Sequence, residues 1–308
     1  MNGVLIIDKP AGLTSHDVVN RVRRILGQRS VGHMGTLDPM ATGILPLVTG
    51  NFTRLAQFYV SSEKAYEGVI RFGFSTDTYD AEGEATSEPQ DVTLSADQVE
   101  SIAAGFRGVV EQMPPPFSAK KIHGVPAYKL ARKQKEVVLE PVQVEIKEFE
   151  ILGVEDDRVR FRARVASGTY MRSVAHDMGK AIGCGAHLES LRRTAVAEFT
   201  VDDAVTLEQL SACGQTSGDA SVNPISSVEE FFIHPRKVLP QFPSVTADEM
   251  TVARILSGRT VNLPDLSRAR QVKVFAGQRE LLAIATRIAG SLFHPKIVLA
   301  AGIVHEPC

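Results

Sequence analysis

The stretch from which the fold can be inferred is residues 32–46, which read Gly-His-Met-Gly-Thr-Leu-Asp-Pro-Met-Ala-Thr-Gly-Ile-Leu-Pro. Glycine, threonine and the Asp-Pro step indicate a loop, and the apolar run 44–48 that follows indicates a buried strand. Such a loop commonly presents a side chain at the edge of a rigid sheet. Its one carboxylate, Asp38, is therefore a candidate functional residue, although an aspartate before Pro39 can also simply bond its own backbone in a turn.

Strands and helices are predicted on both sides of this loop. The apolar run 4–7 predicts a short buried strand, and Ser15 is the expected N-cap of the helix that follows it. Further along the chain, residues 66–74 predict a strand and residues 95–106 a helix.

The second half of the sequence continues the same mixture. A strand-rich run spans 137–152, and residues 171–182 have the pattern of a helix. Between them, residues 158–165 alternate arginine with Val, Phe, Ala and Val. This alternation predicts a strand with one face in the core and an arginine-rich face outside, which is either merely solvated or functional.

The bulk composition allows two domains and excludes a uniformly basic protein. The chain has 308 residues, is 44% hydrophobic and carries a formal net charge of −2. The charge is segregated, however, because residues 118–135 contain six basic residues and no acid, whereas residues 76–100 contain eight acids and no base. A local basic segment is enough to bind phosphates. The acids of residues 77–84 lack EF-hand spacing and predict a solvated turn.

The cysteines and the N-terminus indicate a reducing environment. The three cysteines fit neither zinc-ligand spacing nor a disulfide framework, which favours the cytoplasm and no metal. The first apolar run is too short for a signal peptide or a membrane span, so no membrane association is expected. No nucleotide-binding or zinc-protease motif is present, and we expect no cofactor.

A second, smaller domain is predicted at the C-terminus. Residues 211–227 are rich in Ser, Gly, Asp and Asn, as is typical of a linker. Beyond them, short strand patterns predict a small β-rich unit. We therefore expect a main domain over residues 1–230 and a second one over residues 240–308.

The loop at residues 32–46 resembles the signature of the TruB-type tRNA pseudouridine synthases, Gly-His-x-Gly-x-Leu-Asp-Pro-x-Ala-x-Gly-x-Leu-Pro, at every specified position. Further blocks resemble the family in the same order along the chain. They are Asp-Lys-Pro-Ala-Gly at 8–12, Lys-Ala-Tyr at 64–66, Ser-Gly-Thr-Tyr-Met-Arg at 167–172 and Leu-Arg-Arg at 191–193. The resemblance covers essentially the whole chain.

This resemblance implies an α+β fold, with a mixed, largely antiparallel sheet flanked by helices. It also implies a C-terminal β-barrel-like PUA module, an RNA-binding unit whose end matches Phe-His-Pro-Lys at 293–296. The implied activity is conversion of uridine 55 in the tRNA T loop to pseudouridine. The implied substrate is free tRNA, bound through its T stem-loop by a monomer that needs no protein partner and no cofactor.

The resemblance also implies roles for individual residues. Asp38 matches the catalytic nucleophile and Arg172 the arginine that pairs with it. Tyr66 matches the tyrosine that stacks on the flipped uracil and transfers a proton at C5. Tyr170 matches a second pocket tyrosine, and Leu191 an apolar residue that lines the base pocket.

The remaining implied roles concern the RNA. His33 matches a histidine that holds the flipped RNA conformation by stacking. Lys9, in the block at 8–12, matches a residue near the N-terminus that supports the active site and lies next to the substrate. The segment at about 114–140, which includes Lys120 and Lys121, matches an insertion that clamps the RNA.

Three alternatives remain open at this stage. The chain could be an RNA-binding protein or tRNA-folding chaperone without catalysis. It could be a nucleosidase or glycosyl hydrolase, which would normally need a second carboxylate. It could belong to the guide-RNA-dependent synthases, which share the aspartate block. Departures from the family pattern are mild. Asn51-Phe52 stands where a small or charged pair is commoner, and Tyr79 stands where aspartate is common, and neither is among the expected pocket residues.

Overall fold

The computed structural model describes residues 1–118, 121–122, 125–126, 139–215, 228–264 and 267–300, with backbone alone at 121–122, 125–126 and 214–215. Strands in the first part of the chain are β1 (Gly3–Lys9), β2 (Val31–His33), β3 (Thr42–Thr49), β4 (Lys64–Phe72), β5 (Gly108–Gln112), β6 (Lys121–Ile122), β7 (Val125–Pro126), β8 (Val142–Glu155), β9 (Arg158–Val165), β10 (Ala186–Val196) and β11 (Phe199–Thr200). Helices there are α1 (Ser15–Ile25), α2 (Ala96–Ala104), α3 (Met171–Ile182) and α4 (Leu207–Gln215), with 3₁₀ turns at Gly50–Phe58 and Val201–Asp203.

Within the described residues, nine strands form one large sheet. Its order is β1-β3-β10-β4-β9-β8-β5, with β2 beside β3 and β11 beside β10. Strand β10 runs parallel to β3, while the other pairings in this sheet are antiparallel. Because β10 lies between β3 and β4, Arg193 stands opposite Gly43 on one side and Tyr66 on the other.

Helix α1 begins one residue earlier than the sequence suggests. Its N-cap is Thr14, whose hydroxyl accepts from the Asp17 amide, while the Asp17 carboxylate accepts from the Thr14 amide. The expectation that Ser15 caps the helix is therefore wrong. The Ser15 hydroxyl instead accepts from the Leu37 amide at 2.8 Å and donates to the Leu37 carbonyl at 3.0 Å. It thus pins the residue before Asp38.

Strand β1 is buried on both faces, because successive side chains of a strand point to opposite sides. Leu5 and Ile7 pack into a core formed with the helices. Val4 and Ile6 pack into a second core on the other face. Helices α1, α2, α3 and α4 all contribute to the first core, which also receives buried residues of β4, β9 and β10.

Strand β9 confirms the alternation seen in the sequence. Its four apolar side chains are fully buried, and its four arginines point outward. Each arginine pairs with a carboxylate. Three of these carboxylates lie on the neighbouring strands β4 and β8, for example Glu67, which is 2.9 Å from Arg162, and the fourth is Glu189 of β10, 3.0 Å from Arg158. The outer face is therefore a charge-compensated ladder, and each half-exposed pair adds about 0–1 kcal/mol of stability.

The C-terminal part forms a five-stranded sheet of its own. It contains β12 (Ser244–Ala247), β13 (Val261–Asn262), β14 (Gln271–Ala276), β15 (Glu280–Ala289) and β16 (Leu292–Val298), in the order β12-β14-β15-β16-β13, and one helix, α5 (Glu249–Leu256). Phe275 and Ile284 of this sheet pack in the same core as Val4 and Ile6 of β1. The β-rich unit predicted from the sequence is therefore present, and it shares a core with the main sheet.

The other predicted elements are present with shifted ends. Helix α3 has the predicted bounds and α2 is shorter at both ends by one or two residues, whereas β4 begins at Lys64 and ends at Phe72. The predicted strand over 137–152 is observed as β8, and residues 137–138 lie outside the described part of the chain.

Candidate active site

Asp38 lies in the loop between β2 and β3, which is pinned on both sides of the aspartate. The Pro39 carbonyl accepts from the Lys9 ammonium at 3.0 Å and from the Gly12 amide at 2.9 Å. On the other side, Leu37 is held by both hydrogen bonds to Ser15. The Asp38 side chain keeps 34% of its surface exposed, so it is rigidly placed and still accessible.

The Asp38 carboxylate is paired with Arg172 in a two-point contact. Nε donates to Oδ2 at 2.9 Å and Nη2 to Oδ1 at 3.3 Å. Arg172 sits in the first turn of α3, and only 6% of its side chain is exposed. The fork shape of the guanidinium matches a carboxylate, which makes such a contact directional as well as strong.

Arg172 is itself held by three further groups. Its Nη1 donates to the Thr78 carbonyl at 3.0 Å and its Nη2 to the Phe117 carbonyl at 2.9 Å. Asp80 lies 3.6 Å from Nη1, with 6% of its own side chain exposed. The guanidinium therefore has little freedom to leave Asp38.

Asp80 belongs to residues 76–84, which we call the acidic loop. The expectation that this segment is a solvated turn is wrong for Asp80, which is buried. Its carboxylate accepts from the Thr78 hydroxyl at 2.6 Å and from the Glu82 amide at 3.1 Å. The Ala81 amide also donates to the Leu188 carbonyl of β10. The sequence holds no local signal for this, because Arg172 is far away along the chain.

Tyr66 on β4 and Leu191 on β10 belong to neighbouring strands of the large sheet. Both are about nine-tenths buried, and Leu191 lies opposite Gly68 in the ladder. Burial raises the pKa of Tyr66, and the positive charge and hydrogen bonding of Arg193 oppose that rise. Asp38 raises it further. The phenol is therefore protonated at neutral pH, close to both charged groups.

Arg193 is a residue whose importance the sequence does not reveal. It is fully buried, and its guanidinium donates to the carbonyls of Ile44 at 2.9 Å, Thr36 at 3.1 Å and Gly35 at 3.1 Å. It thus holds both ends of the Asp38 loop from beneath. A signal was available, because Leu191 and Arg193 are two residues apart on a strand and so share a face.

Lys9 lies at the end of β1 and is fully buried. Its ammonium donates to the carbonyls of Pro10 at 2.8 Å, Leu13 at 2.7 Å and Pro39 at 3.0 Å. Burial lowers its pKa to about 8, and the Asp38 carboxylate limits that fall. With all three N–H groups bound to backbone, Lys9 is placed to hold the loop beside Asp38.

His33 and Tyr170 stand at the rim of the site. The Nδ1 atom of His33 accepts weakly from the Gly35 amide at 3.4 Å, and burial lowers its pKa, as does the charge of Arg193. Tyr170 caps α3, and its backbone makes two hydrogen bonds to the Gln112 side chain. Burial raises the pKa of Tyr170. Both side chains are half-buried.

The structure thus brings seven of the nine predicted residues to one place. They are Asp38, Tyr66, Arg172, His33, Tyr170, Leu191 and Lys9. Lys120 lies outside the described residues, and of Lys121 only the backbone in β6 is described. Across the described ranges, no group of three or more His, Cys, Asp or Glu side chains could hold a metal ion. In the same ranges, no helix is both long and apolar enough to cross a membrane.

Comparison with known proteins places this site in a family. Residues 23–171 match the model of the TruB family pseudouridylate synthase N-terminal domain, and residues 172–230 match that of the tRNA pseudouridylate synthase B C-terminal domain. The tRNA pseudouridine synthase B of Solibacter usitatus is 49% identical over 97% of this chain and 100% of its own length. That of Aquifex aeolicus is 37% identical, with the same coverage.

Solved structures share the fold. An H/ACA RNP bound to a substrate RNA containing 2′-deoxyuridine includes a chain with a TM-score of 0.71 and 23% identity, over 98% of this chain and 86% of that one. A Cbf5-Nop10-Gar1 complex includes one with a TM-score of 0.68 and 26% identity, over 94% and 79%. The fold is therefore the pseudouridine synthase fold. With two family models matched in sequence order and full-length relatives at 49% and 37% identity, the chain belongs to the TruB family of pseudouridylate synthases and is an enzyme of that family.

Proposed function

We propose that this chain isomerises uridine 55 in the T loop of tRNA to pseudouridine. The observation that carries the proposal is the accessible Asp38 carboxylate, which Arg172 orients and which lies close to the buried Tyr66. The names of the relatives from Solibacter usitatus and Aquifex aeolicus support tRNA as the substrate. Uridine 55 rests on the sequence resemblance.

The reaction breaks the bond between N1 of uracil and C1′ of the ribose, turns the base and joins C5 to C1′. C5 loses a proton and N1 gains one, so there is no net hydrolysis and no electron transfer. Breaking the glycosidic bond leaves positive character at C1′ or requires loss of the 2′ proton. A carboxylate beside the sugar can attack, abstract or stabilise, and Asp38 is the group we assign to this step.

Arg172 orients the Asp38 carboxylate and balances its charge. A carboxylate in a partly buried site needs a cation beside it to offset the loss of water. The two-point contact supplies that cation and fixes the carboxylate plane. Because Asp80 and two carbonyls hold the guanidinium from behind, binding of the substrate need not reorganise the pair.

Tyr66 is the residue we assign to the base. Its ring can stack on the flipped uracil, and its hydroxyl is the group that we assign to take the C5 proton while passing its own proton to solvent. Leu191 supplies an apolar wall, and Tyr170 a second aromatic one. We assign His33 to stacking in the RNA at the position that the uridine leaves, which offsets part of the few kcal/mol that flipping costs.

The insertion at about 114–140 is proposed to clamp the RNA with Lys120 and Lys121. Its described start supports this position, since the Phe117 carbonyl bonds Arg172 and the Met113 carbonyl accepts from Ser173 of α3 at 2.6 Å. Replacing both lysines by alanine should weaken tRNA binding and flatten its dependence on salt. An unchanged salt slope would place the RNA elsewhere.

The division into a catalytic domain, residues 1–230, and a PUA-like RNA-binding domain, residues 240–308, is also proposed. The five-stranded sheet with its short helix supports the second unit. We further propose that the protein acts in the cytoplasm on free tRNA, as a monomer with no obligatory protein partner and no cofactor.

One experiment tests the proposal directly. The pure protein is incubated with unmodified tRNA transcript in EDTA, and pseudouridine is mapped at each uridine, with Asp38→Asn alongside. We expect product at the T-loop uridine from the unsubstituted protein alone, with tRNA binding largely retained by the variant. Tight binding without product from either protein would favour the chaperone alternative or a need for a guide or partner.

A further inference from the structure

The backbone of Tyr79, in the middle of the acidic loop, adopts an unusual conformation. Its φ is +65°, in the left-handed region that residues other than glycine, asparagine and aspartate seldom occupy. Such strain persists only where surrounding contacts compensate for it, and it often marks a functional segment. The compensating contact here involves the side chain.

The Tyr79 ring stacks on the imidazole of His176. The ring centroids are 3.7 Å apart and the planes differ by 9°. His176 lies on α3 four residues after Arg172, which is one helical turn further along the same face. Burial lowers the pKa of His176 to about 4, with a contribution from Lys180, so the stack joins two neutral rings at neutral pH.

The residues on either side of Tyr79 are the ones that hold Arg172. The Thr78 carbonyl accepts from Nη1 at 3.0 Å, and the Asp80 carboxylate lies 3.6 Å from the same nitrogen. The Tyr79 carbonyl accepts from the Leu188 amide of β10 at 3.0 Å. The loop is therefore tied to β10 through its backbone and to α3 through the Tyr79 ring.

We propose that the Tyr79–His176 stack is a clasp that positions Arg172, and through it Asp38, for cleavage of the glycosidic bond. Both are positioning residues, since neither is placed to touch the reacting atoms. The inference deepens the proposed function and rests on it. Arg172 and His176 lie on the same helix. Because the Tyr79 ring joins the acidic loop to His176, it also sets the distance of Thr78 and Asp80 from the Arg172 guanidinium.

The expected consequence of losing the clasp is a slower chemical step. The acidic loop would stay attached to β10, but its two acceptors could move relative to Nη1. The guanidinium would then hold Asp38 in a range of orientations, and reaction rates fall steeply when the attacking group is misplaced by a fraction of an ångström to 1 Å. RNA affinity should not change, because the rings are not part of the proposed RNA contacts.

The test uses variants that separate the ring from the backbone. Tyr79→Asn removes the ring but tolerates the left-handed conformation, so it adds no backbone strain. His176→Ala removes the other half, and Tyr79→Phe and His176→Phe keep a stack. Single-turnover pseudouridine formation is measured at saturating tRNA transcript, tRNA affinity by titration, and folding by thermal denaturation.

We expect Tyr79→Asn and His176→Ala to slow the chemical step about three- to tenfold. This is the change in rate that corresponds to losing the energy of one aromatic pair. Tyr79→Phe and His176→Phe, which keep a stack, should retain most of the rate of the unsubstituted protein. Tyr79→Asn combined with His176→Ala should be no slower than either alone, because each removes the same contact. On an Arg172→Lys background, Tyr79→Asn should have no further effect.

Several results would overturn the inference. One is an unchanged rate in Tyr79→Asn while the unsubstituted protein is active. Another is a loss confined to tRNA affinity, which would mean that the ring touches RNA. Equal slowing on the Arg172→Lys background would mean that the stack acts independently of Arg172. If the unsubstituted protein forms no pseudouridine, the proposed function fails first and the inference with it.

Discussion

Two adjacent arginines of β10 should differ sharply in their contribution to stability. Arg193 is fully buried and donates to three carbonyls of the Asp38 loop at 2.9–3.1 Å. Arg192, with 42% of its side chain exposed, makes two hydrogen bonds to Asp8 at 2.9 and 2.8 Å. Arg193→Met has a similar volume and removes every donor. It leaves three buried carbonyls without partners, which costs about 1–2 kcal/mol each. The variant no longer buries a charge, which offsets part of this cost, so we expect the free energy of unfolding to fall by roughly 3–5 kcal/mol.

The assay is equilibrium urea denaturation of Arg193→Met beside Arg192→Met, with equal slopes required before midpoints are compared. The Arg192→Met change should lower the free energy of unfolding by less than about 1 kcal/mol, because its ion pair is half-exposed. Arg193→Met should also slow pseudouridine formation, since the Asp38 loop loses its anchor. Equal destabilisation by the two variants would refute the argument that buried carbonyl partners, rather than charge on this strand, make Arg193 important.

Three other predictions concern separate contacts. Gly43→Ala should lower the free energy of unfolding by more than about 3 kcal/mol, because the φ of Gly43 is +97° and a Cβ would lie 2.2 Å from a backbone oxygen of β10. Gly12→Ala is the matched control. Gly12 has a φ of +80° with open space around it, so this change should lower the free energy of unfolding by only about 1 kcal/mol. Lys9 has a folded pKa of about 8, below its unfolded value of 10.5, so the unfolded chain binds more protons between those values and the stability that Lys9 contributes rises there with pH. Relative to Lys9→Met, the protein should gain up to about 1.4 kcal/mol per pH unit from pH 8 to 10, measured by urea denaturation; a flat difference would contradict the burial argument. Tyr59→Phe should cost about 1 kcal/mol in the same assay, because the Tyr59 hydroxyl donates to Glu198 at 2.6 Å between the two sheets, and a neutral result would mean that this bond is replaced by water.

Local patterns predict the elements that carry the site, because those patterns are set by neighbours in sequence. The alternation of residues 158–165 fixes which face of β9 is buried, and helical spacing over 171–182 matches α3 to the residue. The loop before β3 is equally predictable from local sequence, since its glycines and prolines and the apolar run after it restrict the backbone conformation. The local pattern by itself therefore predicts that Asp38 lies at a sheet edge.

Long-range partners cannot be predicted in this way. Asp80 sits in a segment of eight acids without a base, where composition indicates a solvated turn. Its burial depends on Arg172, which reaches it only when α3 packs beside the acidic loop. The Leu-Arg-Arg block at 191–193 does indicate which arginine is buried, because Arg193 shares a face with Leu191, but it does not show that the partners of Arg193 are the carbonyls of the Asp38 loop.

The N-cap of α1 shows how a functional contact can displace a local preference. Serine is among the best capping residues, so Ser15 is the natural choice from local sequence. Thr14 takes that position with Asp17 as its partner, which leaves the Ser15 hydroxyl to bond both backbone groups of Leu37. The helix loses nothing by this exchange, and the residue before Asp38 gains a buried anchor.

Under the proposed function, the anchors around Asp38 account for the need to extrude the target base from its stack. The Asp38 loop is held through its backbone carbonyls and amides by Lys9, Ser15 and Arg193. The loop therefore has little freedom to move toward an RNA helix. Tyr66 is about nine-tenths buried, whereas the Asp38 side chain is one-third exposed. A uridine stacked within an RNA loop cannot bring its C1′ to such a carboxylate and its base to such a ring at once. Under the proposed function, the few kcal/mol needed to extrude the base come from contacts outside the rigid Asp38 loop, which the proposal assigns to the insertion and to His33.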